Sequence, residues 1–287
     1  GPKAVAAANA AGKPSLSVGA GNAPVYLHRS ADIGMAVVDM LISKTFDASV
    51  ICPAEQTCVV DEAIYDDVVK EFERLGGQLL DPDQVEALAN LAFEPDGRVD
   101  ARALGQSCVN LGAMGGFKVD EGVKVLLAPL PSELGELADH PLIQEKLMPV
   151  LGLVPSPSVD HGVSACELIT EHGGLGHTSA VYASDDSVID QFAARVRTGR
   201  ILVNAPTAVG ALGGIYNSLT PTFSLGCGTW GGSNTTDNVN YRNLLNVKTV
   251  SRRQAPPQWF RVPSDTYINA GAIENLREVK ASKVLLV

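Results

Sequence analysis

The residue of this sequence best suited to covalent chemistry is Cys52, in the stretch TFDASVICPAEQTC. Free cysteine is most often a small buried hydrophobic group, so the residue type alone says little. The following Pro-Ala-Glu-Gln, however, is typical of the start of a helix, and a helix N-terminus stabilises a thiolate. Cys52 is therefore a candidate nucleophile.

Three other positions could assist such a nucleophile. His177 lies in GGLGHTSAVY, just before a predicted strand, and Glu145 precedes the apolar run MPVL. Gly19 belongs to the glycine turn SVGAGN, a type of turn that brings backbone close to a ligand. Each has an ordinary alternative, because most lone histidines are structural and most carboxylates at helix ends are solvated.

The other four cysteines do not share the context of Cys52. Cys58 falls in an apparent core strand, and Cys108 and Cys166 fall in helical patterns, so packing explains them. Cys227, in SLGCGTWGG, is a loop cysteine that could approach a site. An odd number of scattered cysteines without a Cys-x-x-Cys or Cys/His spacing indicates no disulfide framework and no metal site, and favours a cytoplasmic location.

The elements that must position these residues follow an α/β pattern. Apolar runs such as TCVVD, VKVLLAPL and RILVN alternate with helical patterns of about 10 to 15 residues, which predicts parallel strands joined by right-handed crossovers. We also predict a short strand in PSLSV and a helix over DARALGQSCVNLGAMGG. The region from GALGG to SNTT is rich in glycine and should form loops.

Composition limits the classes of function. Apolar residues make up 45% of the 287 and charged residues 19%, which is typical of an ordered globular protein. A net charge of -10 argues against nucleic acid or an anionic membrane as a partner. No run approaches the roughly 20 apolar residues of a membrane span. Since the chain starts without methionine and stops within KVLLV, we expect a piece of a longer protein.

Taken in order, the motifs resemble those of the aldehyde dehydrogenase superfamily. These are the glycine turn, the cysteine, a Glu-x-x-x-Pro-Val strand, the turn before His177, the strand of residues 199–204 and the glycine loop of residues 226–232. The resemblance implies an α/β fold with a parallel-sheet catalytic domain and the remnant of a Rossmann-like cofactor domain. The implied domains are 1–44 (end of the NAD-binding domain), 45–210 (catalytic), 211–262 (return to the cofactor domain and oligomerisation) and 263–287 (linker and start of an alcohol dehydrogenase domain).

One departure from the superfamily pattern indicates the subfamily. Hydrolytic members carry a glutamate base in the glycine turn, whereas SVGAGN has no carboxylate. Without that base water is a poor acceptor for the acyl group, and a substrate thiol is a better one. This pattern, with HGGLGHTSAVY and LGCGTWGG, resembles the CoA-acylating aldehyde dehydrogenases, especially the aldehyde dehydrogenase part of bifunctional aldehyde-alcohol dehydrogenases. The tail from PPQWFRVPSD onward also resembles the linker and first strand that lead into the alcohol dehydrogenase domain of those bifunctional proteins.

The resemblance implies a reversible reaction of an aldehyde, NAD⁺ and CoA to acyl-CoA and NADH, with acetaldehyde as the expected aldehyde. Cys52 would be the nucleophile and His177 a proton-transfer or positioning group. Gly1 and Gly19 would contact the cofactor, and Glu145 would hold its nicotinamide ribose. The implied partners are the aldehyde, acyl-CoA and other copies of the chain, in dimers and filaments.

Three alternatives remain at this point. The first is an ordinary hydrolytic NAD-dependent aldehyde dehydrogenase, which the missing glutamate disfavours. The second is an inactive assembly module, with residues 217–262 at subunit contacts. The third is a cysteine hydrolase that uses Cys52 and His177, although this explains neither the glycine loops nor Glu145.

Overall fold

The computed structural model describes residues 2–254, 270–278 and 280. The chain divides into two units, Gly1–Leu245 and Asn246–Val287. The first unit contains a seven-stranded sheet with the strand order β3-β4-β5-β2-β1-β6-β7. Every pairing in this sheet is parallel. The predicted α/β class with a parallel sheet is confirmed.

The elements are short, as is usual for connected parallel strands. The strands are β1 Ala23–Leu27, β2 Glu55–Asp61, β3 Gly77–Leu79, β4 Val125–Pro129, β5 Val150–Ser156, β6 Gly176–Tyr182 and β7 Thr198–Val203. The α-helices are α1 Pro2–Ala10, α2 Ile33–Thr45, α3 Tyr65–Leu75, α4 Pro82–Ala92, α5 Cys108–Gly115, α6 Leu134–Asp139, α7 Val159–Ile169, α8 Asp186–Arg195 and α9 Thr207–Leu212. None of the helices in the described residues combines the length and apolar character that a membrane crossing requires.

The sheet is covered on both faces, which explains why its strands read as continuous apolar runs. Successive side chains of a strand point to opposite faces, so Val59 and Val60 of β2 enter different apolar clusters. The cluster of Val59 includes Leu88 of α4, and the cluster of Val60 includes Phe72 of α3. Both layers therefore hold the ends of the central strands in fixed positions.

Side chains at the helix starts explain where two of the helices begin. Asp32 accepts a hydrogen bond of 2.9 Å from the backbone N–H of Met35 at the start of α2. Asp81 and Gln84 form a reciprocal capping box at the start of α4. Such caps satisfy backbone N–H groups that lack a partner within the helix.

Some predicted elements differ from the structure. The strand predicted in PSLSV is absent, and residues 13–22 have no regular structure. The helix predicted from Asp100 begins only at Cys108, where Ser107 caps it. The carboxylate of Asp100 accepts a hydrogen bond of 2.7 Å from the N–H of Arg102, and such local bonds compete with a helix. Strand β3 and helices α6 and α9 were not predicted, because three to six residues are too few to show a hydrophobic periodicity in the sequence.

The sheet joins residues on both sides of the domain boundary predicted at residue 44. Strand β1 pairs with β2 and with β6, and Val25 lies opposite both Cys58 and Ala180. The segment predicted to end the cofactor domain thus supplies a central strand of the sheet. Most of the predicted final segment, 263–287, lies outside the described residues. The division into four segments stays a prediction.

Candidate active site

Cys52 follows a backbone segment with an unusual conformation. Asp47, Ala48 and Ser49 have φ angles of 50°, 48° and 65°, in the left-handed region that residues other than glycine rarely adopt. Two turns lie along this part of the chain. The N–H of Val50 donates to the carbonyl of Asp47 at 3.0 Å, and the N–H of Ala54 donates to the carbonyl of Ile51 at 3.0 Å. Costly conformations of this kind persist where the surrounding structure holds them, and they concentrate at functional sites.

The helix predicted after Cys52 is wrong, because strand β2 begins there at Glu55. The carboxylate of Glu55 accepts a hydrogen bond of 2.7 Å from the N–H of Thr207, and the amide oxygen of Gln56 accepts one of 2.9 Å from the N–H of Lys146. Both side chains are fully buried. They anchor a strand start instead of capping a helix, so the thiol receives no stabilisation from a helix N-terminus.

The structure brings Cys52 and His177 into contact, in the proximity that the resemblance implied. His177 Nε2 lies 3.2 Å from Cys52 Sγ, and Nδ1 lies 3.0 Å from the hydroxyl of Thr178. The histidine is fully buried near the start of β6, whereas the cysteine is partly exposed just before β2. Both strands flank β1, so parallel pairing places the two side chains at the same edge of the sheet.

Burial keeps both members of this pair neutral. It raises the pKa of the Cys52 thiol to about 11, and the carboxylate of Glu145 adds to this effect. Burial, followed by the positive charge of Arg200, lowers the pKa of His177 to about 3. At neutral pH the imidazole carries a single proton, and in the tautomer with that proton on Nδ1 the Cys52 S–H donates to Nε2 while the Nδ1–H donates to the Thr178 hydroxyl.

Glu145 is half-buried and bonded, not solvated. Its carboxylate accepts a hydrogen bond of 3.0 Å from the N–H of Gly21, and burial raises its pKa to about 7. Gly21 in turn lies against the cysteine, since a Cβ added to it would stand 2.0 Å from the carbonyl oxygen of Cys52. Our sequence prediction named Gly19 and missed Gly21, although both belong to the same SVGAGN turn.

Gly19 and Cys227 contact each other at the edge of this group. The N–H of Gly19 donates to Cys227 Sγ at 3.3 Å, and Cys227 is fully buried. A Cβ added to Gly176, the residue before His177, would stand 1.7 Å from the carbonyl oxygen of Cys227. The loop cysteine therefore packs between the glycine turn and the start of β6, which the isolation of SLGCGTWGG in the sequence did not reveal.

Arg200 is a further charged residue of this region that the sequence prediction missed. It lies on β7 opposite Thr178, and only 5% of its surface is exposed. Its guanidinium donates to the carbonyl of Gly226, with one bond of 2.9 Å, and to that of Thr236 at 3.5 Å. An arginine within the otherwise apolar strand RILV was the available signal.

A cavity of about 370 Å³ opens beside Gly19. Its lining is mainly apolar side chains and glycine backbone, with the polar residues Asn9 and Glu171 among them. The other lining residues are Val5, Ala6, Ala20, Gly173, Leu175, Trp230, Gly231 and Gly232. Cavities of this size and character accept flat rings or alkyl arms of a ligand. Gly1, the other predicted cofactor residue, lies outside the described residues. Within the described part of the chain, no group of three or more His, Cys, Asp or Glu could hold a metal ion.

A parallel sheet that presents a cysteine and a histidine in contact, beside a glycine turn and a carboxylate, is the arrangement that the resemblance to aldehyde dehydrogenases implied. Comparison with known proteins narrows this class. The chain is 36% identical to an acetylating aldehyde dehydrogenase from Geobacillus thermoglucosidasius, with a TM-score of 0.83 over 90% of the chain and 56% of that structure. The chain is therefore a homologue of the acetylating aldehyde dehydrogenases.

Two further relatives belong to the same group. An aldehyde-alcohol dehydrogenase of Clostridium acetobutylicum is 38% identical over 100% of the chain, which spans about a third (34%) of that protein's length. A Rhodopseudomonas palustris propionaldehyde dehydrogenase, solved with bound CoA and an acylated cysteine, is 27% identical, with a TM-score of 0.72 over 82% of the chain and 52% of that structure. No model of a known protein family matches the chain.

Proposed function

We propose that the chain carries the CoA-acylating aldehyde dehydrogenase activity of a bifunctional aldehyde-alcohol dehydrogenase of fermentative metabolism. The reaction is aldehyde, NAD⁺ and CoA to acyl-CoA and NADH, with acetaldehyde as the expected substrate. The observation that carries this proposal is the contact of 3.2 Å between Cys52 Sγ and His177 Nε2, beside a glycine turn without a carboxylate base. The acylated cysteine of the related propionaldehyde dehydrogenase supports the same role for Cys52.

Cys52 and His177 carry the covalent and proton-transfer steps. The sulfur of Cys52 bonds to the carbonyl carbon of the aldehyde, and its proton passes to Nε2 of His177. When bound, NAD⁺ would supply the hydride acceptor, and CoA would supply the thiol that receives the acyl group and release its proton to solvent as the net proton of the reaction. His177 returns the proton that it holds to Cys52 Sγ as the acyl group departs.

The backbone near the thiol is suited to stabilise the oxygen of the intermediate. Among the described residues, the N–H of Cys52 donates to no backbone carbonyl and lies beside the sulfur of its own residue, where an oxyanion on the bonded carbon would form. The side-chain amide of Asn22 cannot assist, because it donates to the carbonyls of Ile143 and Ile169 at 2.9 Å each. We therefore assign the oxyanion contact to the backbone of Cys52.

Gly19 and Glu145 are suited to a dinucleotide cofactor. Gly19 lines the cavity of about 370 Å³ with bare backbone, so a ring can approach without meeting a side chain. Glu145 uses one oxygen to accept from Gly21, which leaves acceptor capacity for the hydroxyl groups of a ribose. Both residues fit NAD in the roles that the resemblance implies.

One observation favours hydrolysis as a second candidate. The carboxylate of Glu145 lies close enough to raise the pKa of Cys52, and its own pKa of about 7 suits a general base. Glu145 could then activate water in place of the missing glutamate. Acetate would form without CoA in that case, and the variant Glu145→Gln would lose this CoA-independent acetate formation.

The decisive experiment measures NADH formation by the intact protein from acetaldehyde and NAD⁺, with and without CoA. We expect activity that requires CoA and is abolished in Cys52→Ala. Cys108→Ala, at a buried cysteine of helix α5, is the matched control and should stay active. Acetate formation independent of CoA would favour hydrolysis, and activity that survives in Cys52→Ala would remove the nucleophile assignment.

We also propose that copies of the chain self-associate through the segment after β7. Large apolar side chains are exposed there in a connection of little regular structure, namely Ile215 (82%), Phe223 (78%), Tyr241 (66%) and Leu244 (77%). Surfaces of this kind are usually covered by a partner. Sedimentation of the intact protein should show an oligomer that Phe223→Asp weakens.

The five unpaired cysteines support a cytoplasmic location.

A further inference from the structure

Arg200 is a buried cation that the mechanism above does not use. Its two terminal nitrogens donate to the carbonyl of Gly226, while its Nε is buried without a hydrogen-bond partner. Among the described residues, no carboxylate lies within 4.0 Å of it. A buried guanidinium without a paired carboxylate is costly, so the region gains little stability from it.

The contacts of Arg200 lead to both members of the cysteine–histidine pair. Gly226 precedes Cys227, whose Sγ accepts from Gly19 at 3.3 Å in the turn that also contains Gly21. The carbonyl of Cys227 packs tightly against Gly176, next to His177. By fixing the carbonyl of Gly226, Arg200 holds the loop of residues 226–228 against the glycine turn on one side and the start of β6 on the other.

The charge of Arg200 also acts on the pair. The groups that face Cys52 are His177, the carboxylate of Glu145, the thiol of Cys227 and the guanidinium of Arg200. Burial, Glu145 and Cys227 disfavour the thiolate, whereas the backbone N–H of Cys52 itself and, to a smaller extent, Arg200 lower the pKa of Cys52. Burial lowers the pKa of Arg200, and the negative charges of Cys227, Cys52 and Asp237 oppose this effect. In the described part of the site, Arg200 is the cation that favours a negative sulfur.

We propose that Arg200 is a positioning residue that holds the 226–228 loop against Cys52 and His177 and supplies the positive charge that favours the thiolate of Cys52. This role replaces the helix N-terminus that the sequence suggested and the structure lacks. The proposal for Arg200 rests on the proposed function only because the thiolate of Cys52 is the nucleophile of that reaction.

The test is the pH dependence of Cys52 alkylation by iodoacetamide in the intact protein, without aldehyde, NAD or CoA. Fragment-ion mass spectrometry of the tryptic peptide of residues 45–70 reads Cys52 separately from the buried Cys58, which lies on the same peptide and is the internal reference. Arg200→Gln keeps hydrogen-bond donors but removes the charge, and Arg200→Lys keeps the charge. Arg98→Gln is the matched control, because Arg98 is exposed and pairs with Asp96.

In Arg200→Gln we expect the alkylation profile to move upward by about half a pH unit, so that alkylation is about threefold slower between about pH 7 and pH 10. Arg200→Lys and Arg98→Gln should stay within about twofold of the wild type. A merely structural role would move the amount of folded protein but not this profile. Coincident profiles of Arg200→Gln and the wild type overturn the proposal.

Two results keep the outcome decisive. If Arg200→Gln does not fold, Arg200→Lys decides: a wild-type profile supports the role of the charge, and an upward shift of about half a unit in a variant that keeps the charge overturns it. Failure of the proposed function is a separate result, because NADH formation that ignores CoA leaves the alkylation profile unchanged. The two proposals therefore fail in different experiments.

Discussion

At the scale of single residues, Gly21 sets the position of the nucleophile. Its backbone donates to Glu145 at 3.0 Å and its α-carbon lies against the carbonyl of Cys52, where a Cβ would stand 2.0 Å from the oxygen. Backbone cannot yield as a flexible side chain can, so Gly21→Ala should displace Cys52 from His177. We expect kcat/KM to fall by about a hundredfold, since small displacements in a site have effects of that size.

Gly34→Ala, in helix α2 outside the site, is the matched control for this prediction, because it makes the same substitution. A Cβ there would meet only the carboxylate of Asp32 at 3.5 Å and that of Glu71 at 3.9 Å, which are ordinary contact distances. Both variants are compared by initial rates of NADH formation and by the midpoint of thermal unfolding. Equal rates in Gly21→Ala and the wild type would show that the contact with Cys52 does not set its position.

At the scale of elements, the turn before Cys52 stores conformational strain. Ala48 is exposed and has φ 48° and ψ 34°, a conformation that costs a residue with a Cβ about 1 to 2 kcal/mol but costs glycine almost nothing. Ala48→Gly should therefore stabilise the folded protein by about 0.5 kcal/mol, after subtraction of the extra entropy of glycine in the unfolded chain. The free energy of unfolding in urea measures this change.

The control for Ala48→Gly is the same substitution in a right-handed helix. Ala7 is exposed in α1, and Ala7→Gly should destabilise the protein by about 0.5 to 1 kcal/mol. Opposite signs for the two substitutions are the expected result. Destabilisation by both would mean that the left-handed turn is not strained.

The elements also show how far sequence reasoning reaches. Long apolar runs predicted six of the seven strands, because strands that are buried on both faces consist mainly of apolar residues. The family resemblance, and not the spacing of the residues, implied that His177 lies near Cys52. The strand start at Glu55 could not be predicted, because its buried carboxylate accepts from Thr207, a residue distant in sequence. Gly21 was missed because its contact with Cys52 exists only in the fold, whereas Arg200 left a signal in RILV that was not used.

At the scale of the whole molecule, two fully buried charges of opposite type shape the dependence of stability on pH. Glu55 leaves one carboxylate oxygen without a partner, and the ammonium of Lys44 also has none in the described structure. Burial raises the pKa of Glu55 from 4.5 to about 7 and lowers that of Lys44 from 10.5 to about 7. The folded protein therefore prefers the neutral form of each group.

The signs of these shifts predict a minimum of stability near neutral pH. Between pH 4.5 and about 7 the folded state binds more protons at Glu55 than the unfolded state does, so stability falls as pH rises. Between about 7 and 10.5 the unfolded state binds more protons at Lys44, so stability rises again. The contribution of Glu55 is present below 4.5 and is lost as the pH passes 7.

Glu55→Gln tests the acidic part of this dependence, because glutamine can still accept from Thr207 but cannot ionise. Relative to this variant, the wild type should lose about 1 to 3 kcal/mol of unfolding free energy between about pH 4.5 and pH 7. Urea unfolding at several pH values measures the difference, and Glu62→Gln, at an exposed glutamate, should run parallel to the wild type. A constant difference between Glu55→Gln and the wild type would mean that Glu55 stays charged in the folded protein, which would require Lys44 to neutralise it there.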